Sequence, residues 1–157
     1  MNPTRNDLPA PARKKLISLL NSRLADATDL KSQLKQAHWN AKGAQFLQLH
    51  ELFDAIAGRV DAQIDEIAER AVQLGGTATG TIRLAAAAST LPEYPTGLTG
   101  ALAHAAAIAD RLATHGAALR AAIDTAADCG DAGTADMFTR FSQEADKDLW
   151  FVEAHLQ

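Results

Sequence analysis

His50, Asp54, Asp65 and Glu69 are the residues of this chain best placed to do chemistry together. They lie between Gln45 and Leu74, where Leu49, Phe53, Ile56, Val60, Ile64, Ile67, Ala71 and Leu74 recur every third or fourth position. That is the period of an amphipathic helix. At about 100° per residue, with His50 at zero, Asp61, Asp54, Asp65 and Glu69 fall near 20°, 40°, 60° and 100°, and the apolar seam centres near −90°. Gln48, Arg59, Glu66 and Arg70 fall at roughly 160–200° and read as the solvated side. His50/Asp54 and Asp65/Glu69 are each i, i+4 pairs, close enough to share an ion. His38 precedes the turn at Gly43 and so lies near the start of this helix. Imidazole plus carboxylate is a ligand set for iron, manganese or zinc; the same spacing also describes a solvated acidic face. Neutral imidazole is the ligating form, so acid weakens any such site.

One length constrains the chemistry. His50 and Asp65 are fifteen residues apart, roughly 22 Å along a helix. One site cannot use both ends of that span within one chain. Either each chain carries two poor half-sites, or a second chain completes each of them. Antiparallel pairing about a two-fold axis would set His50/Asp54 of one chain opposite Asp65/Glu69 of the other and complete both sites at once. No Glu is followed three residues later by His, which argues against a dinuclear centre inside a single bundle.

The elements that must position these residues are helical. The chain has 157 residues, of which 34 are Ala and 5% aromatic, a composition that favours helix over sheet. Pro3, Pro9 and Pro11 mark a mobile arm over 1–11, leaving 12–157 as one domain. A first long helix is expected from Ala12 to Ala41 and the second over 45–74. A Gly/Pro-rich stretch over 75–97 holds one short helical piece, Thr81–Ala88. A third long helix follows over 99–127, with Leu102 on its apolar side, and a fourth to about His155, capped by Thr134 or Asp131. A long connection between the second and third long helices suits a four-helix bundle with an end-to-end crossover. The fold class is therefore all-α. No apolar run approaches membrane-spanning length. A single Cys129 and the lack of an apolar leader point to a reducing, cytoplasmic setting. The net charge of −4 gives the body no basic surface for nucleic acid.

The order Ala37-His38-Trp39-Asn40-Ala41-Lys42-Gly43, Phe46, Leu49-His50-Glu51-Leu52-Phe53-Asp54, Asp65-Glu66-Ile67-Ala68-Glu69-Arg70 and Leu74-Gly75-Gly76 resembles the Dps family, the miniferritins or DNA-binding proteins from starved cells. The resemblance continues at Leu91-Pro92-Glu93-Tyr94-Pro95, at Thr134-Ala135-Asp136 and through Leu149-Trp150-Phe151, and covers the chain from about residue 16 onward. It implies a ferritin-like four-helix bundle and a hollow dodecamer that stores ferric mineral. It also implies dinuclear ferroxidase sites at the two-fold interface, with hydrogen peroxide preferred over dioxygen as oxidant. Carried over by position, the iron ligands are His38, His50 and Asp54 of one subunit with Asp65 and Glu69 of its partner. Zinc or manganese would compete for the same donors.

Three further groups are candidates for a role in such a protein. Trp39 beside His38 is a candidate trap for stray oxidising equivalents, or an interface packing residue. Asp124, Asp128, Asp131 and Asp136 flank the last helical turn and are candidates for an acidic iron inlet at a three-fold axis, or for solvation and capping. Arg5, Arg13, Lys14 and Lys15 are the candidate DNA contacts, a small cluster whose binding would rest on multiplication over twelve copies. His104 and His115 share one helix face about 16 Å apart and read as packing or exposed residues, as does His155. The rival to an iron oxidase is a nucleoid-condensing protein with a secondary metal site.

Overall fold

Proline fixes where the first helix starts. Its locked φ suits a first helical turn, where the missing N–H costs nothing. In the computed structural model, which describes residues 1–157, Pro9 is the N-cap and Pro11 falls in the first turn. α1 (Ala10–Asn40) therefore begins two residues before the expected start. α2 (Phe46–Gln73), the short α3 (Ile82–Ala88), α4 (Ala101–Asp128) and α5 (Ala132–Glu153) follow. α1 packs along α2, α4 along α5, and α1 also meets α4. The Ala101 amide donates to the Lys42 carbonyl at 2.7 Å. α4 thus begins at the end of the bundle where α1 stops and α2 starts. The 74–100 connection returns along the length of α2, about 40 Å, and α3 packs on α1 as it passes.

The core is the sum of the helical seams. Leu16, Leu20, Leu30 and Leu34 of α1, Leu49, Phe53, Ile56 and Ile67 of α2, Ile108 and Leu119 of α4, and Phe138, Phe141 and Val152 of α5 are fully buried. Each such side chain contributes roughly 2–3 kcal/mol of transfer free energy. Leu102, expected inside, is 39% exposed. It sits in the first turn of α4, near the end of the bundle.

Of the residues of α2 read as solvated, Gln48 and Glu66 are exposed, whereas Arg59 and Arg70 are half-buried against α5. Arg59 pairs with Asp148, Gln63 donates to Glu144, Glu66 pairs with Arg140, and Arg70 binds Asp131. The ladder ties α2 to α5, and Asp148 and Asp131 are themselves buried. Long side chains bridge here where apolar ones do not reach. Burial pushes the Asp148 carboxyl up despite its bond to Arg59.

The residues before α1 lie against the far end of α2. The Asn2 amide donates to the Gly75 carbonyl at 2.7 Å. Gly75 has φ +87°, and a Cβ there would sit 2.7 Å from the Asn2 carbonyl oxygen, so only glycine fits both the turn and the contact.

Candidate metal centre

The site begins where α1 and α2 run side by side. Their facing edges form a ladder: Lys31 to Asp61 at 2.6 Å, Lys35 to Asp54 at 2.6 Å, then His38 against His50. Lys31, Lys35 and His38 lie on one edge of α1 at i, i+4 and i+7, which is why they meet Asp61, Asp54 and His50 in reverse order. The two lysines were not singled out from the sequence, although that spacing was a readable signal.

The two imidazoles stack with ring centroids 3.7 Å apart and planes 20° from parallel. His38 Nδ1 lies 2.8 Å from the His50 carbonyl oxygen, and His50 Nδ1 lies 2.8 Å from the His38 carbonyl oxygen. A carbonyl only accepts, so each Nδ1 carries the proton and donates. In the neutral ring the lone pair is then on Nε2. This reciprocal pairing fixes the tautomer and orientation of both rings, the second contact that a metal-binding histidine needs. Both histidines are half-buried. Asp54 is on the same edge and exposed. The Lys35 ammonium bonded to it holds its carboxyl below the ordinary carboxylate range, and His38 and His50 add to that effect. A cation arriving at Asp54 must displace or share this ammonium.

Asp65 and Glu69 are exposed on the same lateral face of α2, roughly 22 Å or more further along the helix than His50. No three His, Cys, Asp or Glu side chains of the chain converge closely enough to hold a metal ion. The structure thus brings His38 against His50, sets Asp54 one turn further along the same edge of α2 on Lys35, short of a three-donor cluster, and keeps Asp65 and Glu69 far from all of them. Trp39 is 66% exposed beside this edge, with the Lys35 ammonium 5.9 Å from its ring centroid. With Ile82 of α3 it flanks a groove between α1 and α3 that also includes Thr28, Asp29, Lys31 and Lys35.

The turn between α4 and α5 separates the four acidic candidates. Asp124, Asp128 and Asp136 are exposed or near the surface on either side of it. Asp131 is not free to line an inlet. It is buried, caps α5 through the Thr134 amide at 3.0 Å, accepts from the Thr134 hydroxyl, and holds Arg70 at 2.9 Å. Burial alone would raise its pKa, but these bonds from Thr134 and Arg70 hold it below the usual range. Of the two caps the sequence allowed, Asp131 is the one used. Among the basic candidates, Arg5, Lys14 and Lys15 are exposed. Arg13 spends its guanidinium on the Leu8 and Leu74 carbonyls, both at 3.1 Å, and is a clamp rather than a free phosphate contact. His104 and His115 are buried in α4.

A bundle crossed end to end, with a half-built imidazole–carboxylate site on its flank, defines a ferritin-like protein. The ferritin-like domain family matches residues 17–157. The DNA protection during starvation protein of Agrobacterium fabrum is 45% identical over 154 residues, 98% of this chain and 95% of that protein. DNA protection during starvation protein 2 of Bacillus anthracis is 32% identical over 143 residues, 91% of this chain and 97% of that one. Among solved structures, Mycobacterium smegmatis Dps superposes with a TM-score of 0.95 at 29% identity, covering 100% of this chain and 94% of that one. DpsA14 of Streptomyces coelicolor gives 0.93 at 32% identity, covering 98% and 91%. The chain belongs to the Dps family. No helix is long and apolar enough to cross a membrane.

Proposed function

We propose that the protein oxidises Fe(II) and stores the ferric product, as a dodecamer assembled from two-fold dimers, with two ferroxidase sites at each dimer interface. Each site takes His38, His50 and Asp54 from one subunit and Asp65 and Glu69 from the other. The observation that carries this reading is the reciprocal His38–His50 pairing, which engages both Nδ1 atoms and leaves the Nε2 of each ring as the open donor, with Asp54 one turn along α2 from His50. The exposed Asp65 and Glu69 supply a matching half, out of reach within one chain but in reach across a two-fold axis. Exposed apolar groups beside the stripe, Trp39 at 66% and Ile82 at 82%, fit burial against a second copy. The DNA-protection names of the relatives fit the same reading.

Iron is the substrate. Neutral Nε2 donors and carboxylates suit Fe(II), and the carboxylates favour the harder, more highly charged Fe(III). Two Fe(II) held side by side deliver two electrons together: two Fe(II) plus one hydrogen peroxide and two protons give two Fe(III) and two waters. No single-electron reduction of peroxide occurs, so no hydroxyl radical is released. Lys35 leaves Asp54 as iron arrives, and Zn(II) and Mn(II) compete for the pocket. Trp39 is positioned to intercept an escaped oxidising equivalent. Asp124, Asp128 and Asp136 remain the candidates for an iron inlet, and the protein works in the cytoplasm. DNA binding is the weaker reading, because Arg13 is engaged in the fold and only Arg5, Lys14 and Lys15 are free at that end.

The stoichiometry tests the paired oxidation. Titrating Fe(II)-loaded protein with peroxide while following ferric absorbance is expected to end near one peroxide per two Fe(II), with no spin-trapped hydroxyl radical. An end point near one peroxide per Fe(II), with trapped radical, contradicts it.

A further inference from the structure

The crossover from Ser89 to Tyr94 is held to the bundle by two buried side chains, Leu91 and Tyr94, and by a set of polar contacts, several of them to buried groups of α1 and α4. Asp26 of α1, fully buried, accepts from the Thr90 amide at 2.7 Å and the Thr90 hydroxyl at 3.1 Å, and pairs with Arg23 at 2.9 Å. Asp29 accepts from the Ser89 hydroxyl at 2.6 Å. Gln33 donates to the Pro92 carbonyl at 3.0 Å and accepts from Arg111 of α4 at 3.0 Å, while Arg111 also donates to the Glu93 carbonyl at 2.8 Å. The Tyr94 hydroxyl meets His104 Nδ1 at 2.6 Å. Leu91 and the Tyr94 ring are the buried apolar parts of this segment. Such a network is stable only while its charges stay balanced.

Two histidines threaten that balance. His115 is 1% exposed and neither ring nitrogen has a hydrogen-bond partner; His104 is 2% exposed and its Nε2 has none. The charged groups about His115 are Arg23 and Asp26 of α1 and Arg111, one turn earlier on its own helix. Glu93 stands on the crossover, and Asp146 of α5 lies beside the neighbouring Gly116. A proton on His115 would be a buried cation with no hydrogen-bond acceptor of its own, beside an Asp26 already committed to Arg23 and Thr90. Neither histidine takes part in the iron site.

We propose that this clasp is an acid-operated latch, in which protonation of His115, seconded by His104, frees residues 89–94 and loosens α3 from α1 while the four long helices stay folded. Opening hydrates the imidazole and lets it take a proton, and closing must expel that proton. Burial pushes His115 down to about 4 in the closed state, against about 6.5 for a hydrated imidazole. The closed state is thus fully favoured above about 6.5 and loses ground as pH falls from there toward 4. Because α3 forms one wall of the groove beside Trp39, opening also dissolves the surface next to the proposed iron site.

The Thr90 amide is the direct reporter, since it donates to Asp26. Its hydrogen-exchange protection, corrected for intrinsic rate, is measured on the full-length protein at pH 6.5 and 4.5. Protection in the native protein is expected to fall on the order of thirtyfold over that range, with core amides of α2 and α5 unchanged. In His115→Gln the fall shrinks to a few-fold; His115→Leu serves as the second variant, with far-UV circular dichroism confirming that each folds. Protection that does not respond to pH in the native protein overturns the latch. So does an equal fall in both variants, which would assign the response to a group other than His115.

Discussion

His50→Ala lowers the initial rate of Fe(II) oxidation by peroxide about a hundredfold or more, because the substitution acts twice. It removes one Nε2 donor and also the ring that stacks on His38 at 3.7 Å and donates to its carbonyl oxygen. Losing a contact that only orients a metal-binding histidine already costs roughly 10–100-fold. The cost to the fold is small, since Leu49 and Phe53, not His50, carry the buried seam of that turn. Calorimetry with Zn(II), which reports binding without redox chemistry, should show the same loss of affinity. Oxidation and Zn(II) binding both within threefold of the native protein would remove His50 from the site.

Asp131→Ala costs on the order of 3 kcal/mol of stability and leaves iron uptake by the folded protein at its native rate. The variant strips α5 of its N-cap, worth about 1 kcal/mol, and leaves Arg70 half-buried without its carboxylate. For a chain of this length the melting temperature falls by on the order of 10 °C. The Asp131 pKa is depressed in the fold. Its contribution is therefore present above the unfolded aspartate pKa of about 3.9 and lost as pH drops through the folded value. Replacing Asp124, Asp128 and Asp136 together by Asn has the opposite pattern: slower uptake and an unchanged melting temperature. Thermal melts and stopped-flow uptake separate the two. A stable Asp131→Ala protein with slowed uptake would return Asp131 to the inlet.

The helices were legible because their stops are chemical. Gly43, Gly75 and Gly130 adopt positive φ at helix ends, Pro9 and Pro11 mark the start of α1, and the 3.6-residue seam of α2 has no interruption. The ligand stripe was legible for the same reason: a wheel orders residues around one helix. What a wheel cannot say is which neighbour lies on each side. Arg59, Glu66 and Arg70 looked solvated because nothing local reveals that α5 offers Asp148, Arg140 and Asp131 opposite them. Asp131 and Thr134 are both good caps, and only the path of the chain selects between them. His104 and His115 were ambiguous because their polar surroundings come from α1 and the crossover, distant in sequence. Lys35 sits three residues before His38, yet its role depends on the antiparallel register that sets it against Asp54.

Subunit complementation tests the shared site most directly. One variant carries His50→Ala and Asp54→Ala, the other Asp65→Asn and Glu69→Gln, and each alone is expected to be nearly inactive. Unfolding and reassembling them as an equal mixture makes about half of all two-fold pairs mixed, and each mixed pair has one complete site of two. About one quarter of native Fe(II) oxidation should return. If no activity returns from a mixture that reassembles fully, or if the Asp65→Asn/Glu69→Gln protein is active by itself, the two halves of α2 do not build one site across the dimer.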